Sequence, residues 1–92
     1  MILAIDTSTQ TVGLALFDGS QIIGEMCWLS KNHHSIELAP AIDQLFNRCG
    51  IQPSDLKGCA VALGPGSFTS LRIGLAMAKG LALSLHIPVI GI

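Results

Sequence analysis

Charge is what this chain has least of. Asp, Glu, Lys and Arg make up 12% of its 92 residues while apolar residues reach 50%, about half the charge of an ordinary soluble domain. There is no basic run, and the net charge is −1. Strong direct binding to nucleic acid is therefore disfavoured, because phosphate contacts need clustered Lys and Arg. Nor is there an unbroken apolar run of the ~18 residues that cross a bilayer. The best stretch, Leu71 to Ile92, is interrupted by Arg72, Lys79, His86 and Pro88. The opening MILAIDTST has no basic flank and sets Asp6 where a secretory leader would stay apolar. Cys27, Cys49 and Cys59 have no C-x-x-C spacing. They are expected as buried thiols in a reducing cytosol, not as zinc ligands or disulfides. A chain this short makes one small domain. Its shortage of polar surface points to apolar area hidden against a second domain or a partner.

What is present alternates between the two regular periods. Ile2 to Ile5, Val12 to Phe17 and Gln21 to Leu29 read as strands, the last two joined by a hairpin at Asp18-Gly19. From about Ser35 to Cys49 the apolar residues Leu38, Ile42, Leu45, Phe46 and Cys49 fall at helical spacing, with Gly50 as terminator. Pro40 is tolerable if it falls in the first turn, where amides have no intrahelical partner. Pro53-Ser54-Asp55 makes a turn, and Cys59 to Leu63 a fourth strand. The loop Gly64-Pro65-Gly66 leads to a second helix, capped by Ser67 and running to Ser84 or Leu85. Ile87 to Ile92 is the fifth strand. The order β-β-β-α-β-α-β is that of an α/β, ribonuclease-H-like half. It predicts a five-stranded mixed sheet with right-handed crossovers. The chain stops at a strand without a polar tail, which reads as a truncation of a longer protein.

The second helix carries the most information. Between Phe68 and Leu85 only Arg72 and Lys79 are charged, seven residues apart on one stripe. A helix apolar nearly all round is normally covered on most sides. Gly74, Ala78 and Ala82 recur every four positions, and Gly80 adds a further gap. Mid-helix glycine costs roughly 0.5–1 kcal/mol relative to alanine, so these residues need a packing reason. Either they seat the helix on its own sheet, or they also admit a neighbouring chain; the second reading is preferred.

Two loops could carry chemistry. Asp6-Thr7-Ser8-Thr9 lies where actin-like and hexokinase-like ATPases hold metal-bound phosphate. It has no glycine for close phosphate approach, and an Asx or Ser/Thr turn is the preferred reading. Gly64, Gly66 and Ser67, at a helix amino terminus, could bind an anion. No GK[ST] follows, so they are not a P-loop. His33-His34-Ser35 with Glu37 lacks the H-E-x-x-H spacing of a zinc protease, and His86 is remote in sequence. No G-x-S-x-G elbow supports a Ser67 triad. No catalytic, cofactor or metal site is assigned to this chain.

The run GPGSFTSLRIGLAMAKGLA (Gly64 to Ala82) strongly resembles the GPGSFTGLRIG hallmark of the TsaB (YeaZ) family. ILAIDTST resembles that family's first strand and turn, HSIELAPAIDQLF (His34 to Phe46) its first helix, and IPVIGI its next strand. One departure is Ser70, where the family usually has glycine. The resemblance covers essentially the whole chain. It implies the amino-terminal half of a two-domain protein of actin-like ATPase (ASKHA) fold, with the carboxy-terminal domain absent here. It further implies a cytoplasmic, non-catalytic subunit in threonylcarbamoylation of adenosine 37 of ANN-decoding tRNAs. The partners implied are a TsaD-type catalytic subunit and a TsaE-type ATPase, which would bring the metal and ATP, with tRNA met only indirectly. Without the partner, a homodimer through the helices is expected. On matching positions the interface candidates are His34, Leu38, Ile42 and Leu45, with Leu71, Arg72, Leu75, Ala78 and Lys79 on the second helix. The rivals are the TsaD-type subunit itself, a glycoprotease-like hydrolase and a sugar-kinase-like half domain.

If the Asp6–Thr9 loop is a structural turn, calorimetric titration with magnesium-ATP will show no micromolar binding. A micromolar Kd would contradict that reading.

Overall fold

Alternation along the strands decides which side of the sheet is covered. The computed structural model describes residues 1–30, 34–65 and 68–92, apart from the side chains of residues 34, 35 and 68. Strands β1 (Ile2–Asp6), β2 (Thr11–Phe17), β3 (Ile22–Leu29), β4 (Gly58–Val61) and β5 (Val89–Gly91) form one sheet in the order β3-β2-β1-β4-β5. β1, β2 and β3 are an antiparallel meander, and β4 and β5 are added in parallel. Leu3, Ile5, Val12, Leu14, Leu16, Cys59 and Val61 point to one face and are buried. Helices α1 (His34–Cys49) and α2 (Phe68–Leu85) both pack on that face. The expected architecture is therefore present, with both helices on the same side.

The other face is bare among the described residues. Ala4, Ala15 and Ala60 line its centre, where small side chains leave the surface flat. Ile90 and Ile92 stand exposed at one edge, Ile92 by 77%.

α1 exists because Leu38, Ile42, Leu45 and Phe46 make a buried stripe over the meander. Gly24 brings β3 close to it: a Cβ there would stand 2.5 Å from Cys49 Sγ. Pro40 falls in the second turn of α1, not the first, on its exposed side. The carbonyl that its missing N–H would have served therefore faces outward, where water can satisfy it. Gly50 ends the helix at φ +69°, with the Gly50 and Ile51 amides donating back to Asn47 and Phe46. This is a Schellman closure, which favours glycine at that position.

α2 closes the same way with a less suited residue. The Ile87 amide donates to the Ala82 carbonyl at 3.0 Å, and His86 takes φ +56°. The cap predicted at Ser67, and Gly66, lie outside the described residues.

The cysteine expectation needs correction. Cys59 is buried, and its thiol is pushed up by desolvation. Cys49 is half-buried, but Cys27 is exposed, because its place in β3 turns it toward the bare face. At the β2–β3 hairpin, Asp18 Oδ1 accepts from the Ser20 and Gln21 amides at 2.8 Å each. Those donors hold its carboxyl below the ordinary value.

The left-handed conformation at His86 predicts that His86→Gly raises unfolding free energy by about 0.5–1 kcal/mol. Chemical denaturation checks it; an unchanged or lowered midpoint would contradict the conformation assigned there.

Candidate functional site

The β1–β2 loop satisfies itself. Asp6 Oδ1 accepts from the Ser8 amide at 2.9 Å and from the Ser8 hydroxyl. Thr9 Oγ1 accepts from the Thr11 amide and donates to the Thr11 carbonyl. Thr7 is fully buried, and its hydroxyl donates to the Ser70 carbonyl at 2.7 Å. The loop is a pair of Asx and Ser/Thr turns whose one inward side chain pins the first turn of α2. Gly64, at φ +133°, supplies the bend that leaves β4.

The other chemistry-bearing residues are scattered. Glu37 Oε1 accepts from Trp28 Nε1 at 3.1 Å, which ties α1 to β3. His86 sits exposed at the far end of α2. Among the described residues, no three His, Cys, Asp or Glu side chains gather where they could hold a metal ion. No described helix is long and apolar enough to cross a membrane.

α2 has two apolar sides. The inner one carries Gly74 and Ala78, both buried, flanked by half-buried Leu71, Leu75, Ala82 and Leu85. Gly74 lies so close to β1 that a Cβ would stand 2.5 Å from Thr7 Oγ1. The outer one is a groove of about 560 Å³ lined by Ile73, Ala76, Met77, Gly80, Leu81 and Ser84. At 100° per residue the two stripes lie about 140° apart round the helix axis. Ile73, Met77 and Leu81 in the outer one are half-buried and pack against the core, while Ala76, Gly80 and Ser84 stand exposed. Leu83, on its border, is 81% exposed.

The interface candidates named from the sequence therefore divide. Leu38, Ile42, Leu45 and Ala78 are core residues, and the structure corrects their assignment to a partner-facing surface. The amphipathic stripe of α1 is the one that seals the sheet. Leu71 and Leu75 are half-buried, while Arg72 and Lys79 are exposed on a third side of α2. His34 opens α1, with its side chain outside the described set. The outer stripe was missed, although its signal was present. Residues 73, 76, 77, 80, 81 and 84 repeat at i, i+3, i+4, i+7, i+8 and i+11.

Residues 24–92 match the family model described as TsaD, tRNA N6-adenosine threonylcarbamoyltransferase. The chain is 48% identical to the tRNA threonylcarbamoyladenosine biosynthesis protein TsaB of Bacillus subtilis over 88 residues, 96% of this chain and 38% of the relative. Against a tRNA N6-adenosine threonylcarbamoyltransferase of Nitratidesulfovibrio vulgaris it is 32% identical, over all of this chain and 30% of the relative. That alignment runs over 107 positions, so it opens gaps that the Bacillus one does not need. Among solved structures, YeaZ from Pseudomonas aeruginosa superposes with a TM-score of 0.93 at 31% identity, over 99% of this chain and 42% of that one. RuvC from Thermus thermophilus, at 11% identity and a TM-score of 0.64 over 99% of this chain and 62% of that one, shares the fold alone. The chain spans about two-fifths of the length of the TsaB relative it matches.

The contact between Gly74 and Thr7 predicts that Gly74→Ala destabilises the fold by about 1–3 kcal/mol. Combined with Thr7→Ser, which removes a methyl but keeps the hydroxyl, the loss should persist. Combined with Thr7→Ala it should shrink, as coupled neighbours require. Additive losses in thermal unfolding would show that the two residues do not touch.

Proposed function

Because the chain belongs to the TsaB (YeaZ) family, within the wider family of TsaD-type transferases, we propose that it is a non-catalytic docking unit for tRNA threonylcarbamoylation. It binds a TsaD-type catalytic subunit, and the observation that carries this reading is the partly open apolar groove on α2. Aliphatic surface in water costs roughly 25 cal/mol per Å², so a helix with a second greasy stripe favours association. A standard interface removes about 800 Å² from each partner, more than one groove supplies. The Arg72 and Lys79 side of α2 extends the surface.

In this reading the metal and ATP belong to the TsaD-type and TsaE-type partners. tRNA is engaged only through them, and the assembly works in the cytosol. Without the partner, two copies pair through the same groove. The description of the matched model favours one alternative, that the chain is part of a transferase subunit. A modification assay on tRNA separates the two, since a docking unit gives no product until a TsaD-type subunit is added.

Ala76→Asp tests the groove directly, because Ala76 is exposed and lines it. It should weaken capture by a TsaD-type subunit by at least about tenfold, roughly 1.4 kcal/mol, in calorimetry. Folding stability should fall by no more than ~0.7 kcal/mol, the propensity cost of Asp in a helix. Undiminished capture by this variant would refute the groove as the docking surface.

A further inference from the structure

We propose that the free edge of β3 accepts an extended segment of a partner protein as an added antiparallel strand. The segment it selects reads apolar-x-apolar-basic-acidic from its amino end. This site is separate from the α2 groove and does not depend on the function proposed above.

Among the described residues β3 is the last strand on its side of the sheet. Its hydrogen-bonding phase follows from one bond and the register. The Ser30 amide donates to the Gln10 carbonyl at 2.7 Å, which makes Ser30 and Gln10 an inward-bonded pair. Antiparallel pairs alternate, so Trp28, Met26 and Gly24 turn their backbone groups toward β2, while Leu29, Cys27 and Glu25 turn theirs outward. The regular register ends at Gly24, where a bulge leaves Ile23 without a partner in β2. The free edge therefore runs from Glu25 to Leu29, with three residues presenting an amide and a carbonyl each. Only Glu25 charges it, which is thin protection for an apolar edge strand.

α1 overhangs this edge. Beside its buried stripe, Glu37, Ala41, Gln44 and Arg48 repeat at spacings of four, three and four, and they line a groove against Glu25, Met26, Cys27 and Trp28. The groove has a volume of about 690 Å³. A strand laid 4.7–4.9 Å beyond β3 would sit in it, between the edge and the helix. Strand addition beside a flanking helix is a recurrent way to hold a peptide.

Charge and side-chain parity choose the occupant. The added residue opposite Glu25 shares its face and should be basic. The next, opposite Gly24, turns to the helix side near Arg48 and should be acidic. Those opposite Met26 and Trp28 meet Pro40, Ala41 and Ile36, and should be apolar. A second copy fits less well. Centred on Cys27, antiparallel self-pairing would set each Glu25 against Leu29 of the other copy. It would also bring two overhanging α1 helices to the same side of the junction.

The probe is the peptide TVTVKET, acetylated and amidated, titrated into the 15N-labelled chain. Saturable shifts are expected at the Glu25, Cys27 and Leu29 amides. N-methylation of the third peptide residue should weaken binding about tenfold, the effect of one lost hydrogen bond. Cys27→Pro should do the same while leaving the β2 ladder intact, since its amide points outward. Should that variant fold poorly, the N-methyl peptide decides alone. The charge-swapped peptide TVTVEKT should bind several-fold more weakly. Equal binding of the N-methyl or swapped peptide would overturn the proposal. So would failure to saturate by about 1 mM, or protection of these amides by raised protein concentration without peptide, which would mean that the edge takes a second copy.

Discussion

One sheet covered on one face by two helices is the constraint from which the rest follows. α2 reaches that face only because Gly74 and Ala78 let it approach, and because buried Thr7 bonds to the Ser70 carbonyl. That seat uses one side of an apolar helix and leaves the opposite side only partly covered. A longer side chain at Gly74 would lift the helix from β1 and blur the division between the two stripes. The outer groove is thus a consequence of how tightly the inner side packs.

The same constraint explains the composition. A small sheet with one covered face has a core too small to shelter half its residues. Apolar side chains remain on α2, on the bare sheet face and along the β3 edge, as Leu83, Ile90 and Leu29 show. The three surfaces differ in kind. The α2 stripe is a helical ridge and groove, the bare face is flat with alanine at its centre, and the β3 edge offers backbone groups. Different partners suit each, and the relatives' extra length is compatible with more than one of them being covered within a longer chain.

The sequence made the local features legible and hid the long-range ones. The α1 stripe, the Asp18-Gly19 hairpin and the Gly50 terminator follow from patterns a few residues long, and the structure reproduces them. Short apolar runs and turn residues supplied the rest of the order. What stayed hidden was which side of α2 faces out, since a helix apolar all round gives no orientation by itself. That choice is made by Thr7, 63 residues from Ser70 along the chain. Leu38, Ile42 and Leu45 looked like partner contacts for the same reason, because a buried stripe and a docking stripe have one spacing. Cys27 was misjudged because burial in β3 depends on which face the helices choose. The left-handed His86 carries no marker in composition, since glycine usually holds that place.

Covalent carbene footprinting of the chain, with and without a TsaD-type subunit, tests the central claim most directly. The account predicts that labelling falls at Ile73, Ala76, Met77 and Leu81, and stays unchanged on the sheet face around Ala15 and Ala60. Protection of that sheet face with the α2 groove still fully labelled would contradict it.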